Sequence, residues 1–255
     1  MPDPAETKLA DALAPPPVDL LVGASLFLDF DGTLVEIVDR PDAVRVDADL
    51  GGLIRALARR LDGRLAIVSG RGAHEIAALF DHPDFTIGGS HGAELRLADG
   101  TVRGATRPAE LDRVLDTMRA FAARRPGVLV EAKTLGAGLH FRGAPAAEAE
   151  CAALAADLAQ TSGLTLQEGK MVFELRAPGD KGAAIGALMA MTPFAGSHPV
   201  FLGDDVTDED GFAAADALDG AGILVGPMRA TAARHRLPDV AGVRAWLTQF
   251  VEECR

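Results

Sequence analysis

The chain has 255 residues, and its 37 acidic and 25 basic side chains give a formal net charge of −12. This charge argues against a nucleic-acid-binding protein, which needs a basic face for the phosphates. It does not exclude a small phosphorylated substrate, because a metal ion and a few local cations can reverse the field at one site. Hydrophobic residues make up 48% of the chain and charged residues 24%, as in ordinary globular proteins, which excludes a disordered chain.

The two cysteines, Cys151 and Cys254, form neither a disulfide framework nor a zinc-binding pattern. No apolar run approaches the roughly 20 residues of a membrane-spanning helix. The acidic, Pro-rich residues 1–22 lack the apolar core of a signal peptide and predict a loose N-terminal leader. We therefore expect a cytoplasmic globular protein.

After the leader, short apolar strands alternate with amphipathic helices. The predicted strands are 26–30, 65–68 and 85–88, and the predicted helices are 50–61 and 73–80. This alternation is typical of a parallel sheet with right-handed crossovers.

The pattern changes near residue 100, where a helix, two strands, a second helix and two further strands predict an antiparallel α+β unit. These elements are 108–125, 128–132, 137–142, 146–161, 164–167 and 172–176. After residue 178 the first pattern resumes, with a helix over 180–191, a strand over 200–202, a helix from about 207, a strand over 222–225 and a terminal helix that includes 246–253. The predicted fold class is α/β: a discontinuous core over 23–101 and 178–255, with a smaller α+β cap domain inserted over 102–177.

Two carboxylates, Asp29 and Asp31, follow the first predicted strand and precede Gly32. Ligand and catalytic groups of such sheets lie beyond the carboxyl ends of the strands. One carboxylate at this place could attack phosphorus while the other transfers protons. The alternative is an ordinary turn, since Asp-Gly is common turn chemistry.

Asp204, Asp205 and Asp208 follow the strand over 200–202. Three acids within five residues repel one another unless a cation lies among them, and oxygen ligands suit a hard metal ion. The alternative is a solvated turn before a helix whose dipole favours acidic residues at its start.

Two smaller signals lie at corresponding places. Ser69 ends the strand over 65–68, and Lys181 opens the helix over 180–191. By themselves, these residues are better interpreted as a helix-capping serine and a surface lysine. Together with the two acidic motifs they supply a nucleophile, a hydroxyl donor, a cation and metal-binding carboxylates, which is the inventory of phosphoryl transfer.

These motifs resemble the haloacid dehalogenase superfamily of phosphotransferases. The resemblance rests on Asp29-Phe30-Asp31-Gly32-Thr33, Ser69, Lys181, and Gly203-Asp204-Asp205 with Asp208. Within this superfamily, almost the whole chain after residue 24 is similar to the trehalose-6-phosphate phosphatase family. The segments that carry this closer similarity are 69–71, 89–94, 130–133, 139–142, 169–174 and 201–209.

The resemblance implies a Rossmann-like core and a role for each motif residue. Asp29 would be the nucleophile that forms an aspartyl-phosphate. Asp31 would protonate the leaving sugar hydroxyl and then act as base for the water that hydrolyses the intermediate. Ser69 and Lys181 would hold the transferring phosphoryl oxygens.

The resemblance also implies a Mg²⁺ site. The aspartates that it assigns to this site are Asp29, Asp31, Asp204, Asp205 and Asp208. Asp29, Asp204 and the backbone carbonyl of Asp31 would contact the ion. Asp205 or Asp208 would reach it through water or would orient Lys181.

Substrate recognition is assigned by the same resemblance to Arg71 and to polar residues on strands of the cap. The cap residues are Glu131, Lys133, His140, Lys170 and Glu174. Polar residues on one face of an antiparallel sheet are otherwise simply solvated, and His140 could equally be a structural histidine.

The activity implied is the Mg²⁺-dependent hydrolysis of trehalose 6-phosphate. Alternatives are another capped sugar phosphatase of the superfamily, acting on sucrose phosphate or mannosylphosphoglycerate, and a non-catalytic sensor of a sugar phosphate. We expect a monomer whose partner is a small sugar phosphate, with no nucleic acid and no membrane.

Overall fold

The computed structural model describes residues 13–38, 43–81, 83–104, 106–169 and 171–253. The chain forms two compact units. The first contains the described residues up to Val102 together with those from Asp180 onward, and the second is Arg103–Gly179. The predicted leader residues 1–12, Lys170 and Cys254 lie outside the described part of the chain.

The described residues form twelve strands and seven α-helices. The strands are β1 (Ser25–Leu28), β2 (Leu65–Val68), β3 (Thr86–Gly89), β4 (Glu94–Arg96), β5 (Val102–Gly104), β6 (Leu129–Ala132), β7 (Gly136–His140), β8 (Thr165–Gly169), β9 (Val172–Arg176), β10 (Pro199–Gly203), β11 (Ala221–Val225) and β12 (His235–Leu237). The helices are α1 (Ala48–Arg60), α2 (Ala73–Leu79), α3 (Leu111–Ala122), α4 (Glu148–Ser162), α5 (Lys181–Met189), α6 (Glu209–Ala217) and α7 (Val240–Glu253).

The large sheet has the strand order β12-β11-β10-β1-β2-β3-β4-β5. The first six strands of this order are parallel, and β4 pairs antiparallel with β3. The central strands are apolar and buried throughout because helices cover both faces of the sheet. The predicted α/β fold class is therefore confirmed.

Alternating side chains of β1 serve two different cores, as the period of a strand requires. Leu26 and Leu28 pack in the cluster that includes residues of α1, α2 and α7. Phe27 points to the other face, where it packs with residues of α5 and α6. The site described below lies where β1 and its neighbours end.

The second unit has a four-stranded antiparallel sheet in the order β6-β7-β9-β8. Helices α3 and α4 pack on it through buried apolar residues such as Leu115, Met118 and Leu158, which meet Leu139 and Leu175 of the sheet. The order of helix, two strands, helix and two strands is the order that the sequence predicts for the inserted segment.

The prediction of a loose leader was wrong for the part of it that the structure describes. Val18–Leu21 form a 3₁₀ turn. Leu21 is fully buried, and Val18 and Leu20 pack against the same core. Apolar residues spaced through an otherwise Pro-rich segment explain why it packs on the core.

The strands that the sequence did not predict are short and lie at or near the sheet edges. Strands β4, β5 and β12 have three residues each and contain arginine, so they lack the apolar run of a buried strand. No helix among the residues that the structure describes is long and apolar enough to cross a membrane.

Candidate active site

The site lies at the carboxyl ends of three adjacent parallel strands. Strand β1 lies between β10 and β2. Because the strands are parallel, Asp29 after β1, Ser69 after β2 and Asp204 after β10 emerge at the same edge of the sheet. All three were candidate residues of the sequence, and the topology brings them together.

Lys181, the first residue of α5, reaches this edge with a buried ammonium group. Its Nζ donates to Asp29 Oδ1 at 2.6 Å and to Asp208 Oδ1 at 2.6 Å. The side chain of Lys181 is 4% exposed, that of Asp29 is 7% exposed and that of Asp208 is 0% exposed. Burial by itself lowers the pKa of Lys181, but the two carboxylates outweigh burial and raise it, so the group is a fixed positive charge.

Asp208 also holds the loop that follows β10. Its Oδ2 accepts from the backbone N–H of Asp204 at 3.0 Å and of Asp205 at 2.9 Å. Gly203 makes this return possible, since a Cβ there would lie 2.3 Å from Asp208 Cγ. The carboxylate therefore joins the Asp204 loop to Lys181.

Carboxylate oxygens of Asp29, Asp204 and Asp208 lie within 4.8 Å of one another and could hold a metal ion. Burial raises the pKa of Asp29, and the charges of Asp208 and Asp204 add to this effect while Lys181 opposes it. Burial together with the charge of Asp208 raises the pKa of Asp204 to about 6. Crowded, desolvated carboxylates of this kind are the donor set that a hard divalent cation such as Mg²⁺ requires.

Gly32 leaves room for the side chain of Asp204 because it carries no Cβ. The residue has φ +83°, and a Cβ on it would lie 2.2 Å from Asp204 Oδ2. The Asp-Gly pair at residues 31 and 32 is therefore a turn and also a requirement of the acidic site. The hydroxyl of Thr33 donates a long hydrogen bond of 3.4 Å to Asp204 Oδ1.

Asp205 lies outside this group of three carboxylates. Its side chain accepts from the backbone N–H of Val206 at 2.6 Å and begins the 3₁₀ turn Val206–Asp208. Asp205 therefore caps the turn, while Asp208 orients Lys181.

Arg71 makes a bidentate ion pair with Asp31. Its Nε donates to Oδ2 at 2.6 Å and its Nη2 donates to Oδ1 at 2.9 Å. The backbone N–H of Arg71 donates to Ser69 Oγ at 3.1 Å. The sequence assigned Arg71 to substrate and did not predict its contact with Asp31, because the two residues are 40 positions apart.

In the second unit, the predicted residues Glu131, His140 and Glu174 share one face of the sheet. Glu131 of β6 lies opposite Gly138 of β7, which lies opposite Glu174 of β9. His140 Nε2 lies 2.8 Å from Glu131 Oε2, and Lys133 Nζ donates to Glu174 Oε2 at 2.5 Å. Residues directly opposite one another point to the same face, and the absence of a side chain at Gly138 leaves room between them.

Comparisons with known proteins agree with this geometry. The sequence model of the trehalose-phosphatase family matches residues 27–240. The trehalose-6-phosphate phosphatase of Escherichia coli is 40% identical over 224 residues, which cover 87% of this chain and 84% of that protein. A probable trehalose-phosphate phosphatase of Sinorhizobium fredii is 38% identical over 224 residues, which cover 86% and 84%.

A solved structure of a trehalose-6-phosphate phosphatase related protein superposes with a TM-score of 0.76 and 31% identity, over 89% of this chain and 96% of that one. The match spans both parts of the core and the segment between them. The chain belongs to the trehalose-phosphatase family.

Proposed function

We propose that this protein hydrolyses trehalose 6-phosphate to trehalose and inorganic phosphate, through a phosphorylated Asp29. The observation that carries the proposal is the buried Lys181 ammonium, which holds Asp29 at 2.6 Å beside the carboxylates of Asp204 and Asp208. This arrangement lies in a chain whose relatives include trehalose-6-phosphate phosphatases over most of their length.

Asp29 is suited to attack phosphorus because one of its oxygens is fixed by Lys181. The attacking oxygen forms a bond to phosphorus while the bond from phosphorus to the sugar oxygen breaks. The lysine ammonium compensates the charge on the phosphoryl oxygens and on the attacking carboxylate. Ser69 is buried at the end of β2. Its hydroxyl can donate a hydrogen bond to another phosphoryl oxygen.

Asp31 would supply the proton for the leaving sugar oxygen and then take a proton from the water that attacks the aspartyl-phosphate. The two hydrogen bonds from Arg71 hold Asp31 as an ionised carboxylate, which is the form that acts as base in the second step. For the first step, Asp31 would have to leave this ion pair and carry a proton, and Arg71 could then make the substrate contact predicted from the sequence.

The three clustered carboxylates fit Mg²⁺, since their oxygens converge and no softer ligand accompanies them in the cluster. Asp29 and Asp204 would hold the ion, with the backbone carbonyl of Asp31, and Asp208 would orient Lys181. When bound, the ion would neutralise negative charge on the phosphoryl group and on the carboxylates.

Recognition of the sugar is assigned to the polar face of the second unit, which corresponds to the cap predicted over residues 102–177. Glu131 with His140, and Lys133 with Glu174, offer charged donors and acceptors of the kind that bind hydroxyl groups. Lys170 belongs to the same assignment from the sequence. A cytoplasmic, monomeric protein is part of this proposal.

The decisive experiment measures phosphate release from a panel of sugar phosphates, with and without Mg²⁺. We expect release from trehalose 6-phosphate to exceed release from sucrose phosphate and mannosylphosphoglycerate, and to require the metal. Preference for another sugar phosphate would refute the substrate assignment. Absence of turnover with every ester would favour the sensor alternative, and Asp29→Asn is the control for contaminating phosphatases.

A further inference from the structure

The segment between β3 and β4 has an unusual backbone. Ser90, His91 and Gly92 follow one another with φ values of 51°, 55° and 90°. The left-handed region is unfavourable for residues that carry a Cβ, and such strain persists only where the surrounding structure holds it. Contacts with Glu94, with the turn at Ser69 and with the start of α5 hold residues 90–92 in this conformation.

Glu94, the first residue of β4, ties the strained turn to α2. Its carboxylate is buried, and Oε1 accepts from the backbone N–H of Ala73 at 2.9 Å and from the hydroxyl of Ser90 at 3.1 Å. Ala73 is the first residue of α2, directly after the Ser69–Arg71 turn and Gly72. One carboxylate thus joins the start of this helix to the strained turn.

The strained turn also holds the backbone around Ser69. The N–H of Ser90 donates to the carbonyl of Arg71 at 2.7 Å, and the N–H of His91 donates to the carbonyl of Ser69 at 2.9 Å. The His91 ring packs against Gly70, where a Cβ would lie 2.7 Å from its Cε1 and Nε2 atoms. The turn that presents Ser69 is therefore held by backbone bonds at both of its ends.

The same segment packs against the start of the helix that carries Lys181. A Cβ on Gly92 would lie 2.6 Å from Ala184 Cβ and 2.8 Å from the carbonyl oxygen of Asp180. Residues 90–92 therefore contact both elements that present groups to the phosphate, the turn at Ser69 and the first turn of α5.

We propose that Glu94 is a positioning residue for phosphate binding. Through Ser90 and Ala73 it keeps the strained turn in place, and the turn fixes the Ser69 backbone relative to the start of α5. None of the hydrogen bonds described for Glu94 is to Ser69 or Lys181. The inference rests on the proposed function, because that proposal assigns Ser69 and Lys181 to the phosphoryl group.

The test compares Glu94→Ala with Glu94→Gln, since the glutamine oxygen can accept both hydrogen bonds. Leu247→Ala, which truncates a fully buried residue of α7, is the control for lost stability. The assays measure the inhibition constant of inorganic phosphate, and kcat and KM for p-nitrophenyl phosphate and trehalose 6-phosphate. They are run about 15 °C below the lowest unfolding midpoint, so that every variant is folded.

We expect Glu94→Ala to raise the inhibition constant of phosphate about tenfold. This factor corresponds to the loss of about one charge-assisted hydrogen bond. Glu94→Gln should stay within about threefold of wild type, and Leu247→Ala should keep wild-type phosphate binding despite a lower midpoint. If Glu94→Ala does not fold, Ser90→Ala removes only the hydroxyl bond, and we expect it to weaken phosphate binding about threefold.

Unchanged phosphate binding in Glu94→Ala, or in Ser90→Ala where that variant replaces it, would show that Glu94 only stabilises the fold. Equal losses in Glu94→Ala and Glu94→Gln would show that the charge acts rather than the two hydrogen bonds. Either result overturns the inference. A wild-type protein that binds phosphate but does not hydrolyse trehalose 6-phosphate refutes the proposed function alone, because the phosphate measurements still decide the role of Glu94.

Discussion

Asp208→Ala isolates the contribution of one buried carboxylate to the site. Asp208 has no exposed side-chain surface and accepts from Lys181 Nζ at 2.6 Å. It also accepts from the backbone N–H groups of Asp204 and Asp205 at 3.0 and 2.9 Å. The substitution removes all three hydrogen bonds at once and leaves Lys181 with Asp29 as its remaining carboxylate partner among these residues.

The loss of stability can be estimated from these contacts. Breaking a buried ion pair completely costs about 3–5 kcal/mol, and because Lys181 keeps Asp29 we take about 2 kcal/mol. The partly buried N–H of Asp204 loses its acceptor at a cost of about 1–2 kcal/mol, whereas the N–H of Asp205 can turn to water. Removing the Asp208 charge also removes its repulsion with Asp29 and Asp204, which offsets about 1 kcal/mol of the lost stability. The net loss is about 2–3 kcal/mol, which lowers the unfolding midpoint by roughly 4–12 °C.

The assay is thermal or urea unfolding of the metal-free protein, followed by circular dichroism. Asp205→Ala is the matched control, because this neighbouring carboxylate is exposed and caps only the following turn. We expect the control to lose about 1 kcal/mol or less. If Asp208→Ala were no less stable than Asp205→Ala, the contacts of Asp208 would not contribute as the structure indicates.

Three further predictions concern chemistry, metal and specificity. Asp29→Asn should fold normally and lose turnover, and activity above about a tenth of wild type would contradict its role as nucleophile. In the metal-free protein the raised pKa of Asp204, about 6 against 3.8, means that the folded state keeps a proton that the unfolded state releases. The free energy of unfolding should therefore fall by up to about 3 kcal/mol as the pH rises from 4 to 6. Mg²⁺ should raise the unfolding midpoint more at pH 7 than at pH 5, and equal increases at the two pH values would contradict this. Glu174→Ala and Lys170→Ala should lower kcat/KM for trehalose 6-phosphate about tenfold or more but leave p-nitrophenyl phosphate nearly unaffected. Equal losses with both esters would show that these residues do not select the sugar.

Much of the candidate site could be predicted because it follows from parallel strands. An apolar run ending in a carboxylate or hydroxyl marks a strand end, and ends of neighbouring parallel strands meet. Asp29, Ser69 and Asp204 satisfy this rule, and the structure places them at one edge. The family resemblance also assigned Glu131 and Lys133 to substrate recognition, without any knowledge of their partners.

Partners across the fold could not be predicted, because they depend on packing between elements distant in sequence. The pairing of Asp31 with Arg71 joins the ends of two strands, and the pairing of Lys181 with Asp208 joins a helix to a loop 27 residues away. The left-handed conformations of Ser90 and His91 could not be predicted either, since few residues with a Cβ adopt them, although histidine does so more often than most. The surrounding Gly89 and Gly92 were the only local signal of an unusual turn.

The charges at the end of the sheet explain why a divalent cation would suit the proposed site. Asp31 and Arg71 form a neutral pair. The remaining charged groups, Asp29, Asp204 and Asp208 against Lys181, carry a net charge of −2 when all are ionised, since three carboxylates face one ammonium. A phosphate monoester adds further negative charge to this buried cluster, and Lys181 is already shared between two carboxylates. A divalent cation at Asp29 and Asp204 would restore neutrality before substrate binds, and the aspartates that repel phosphate without a metal would then bind it through the ion.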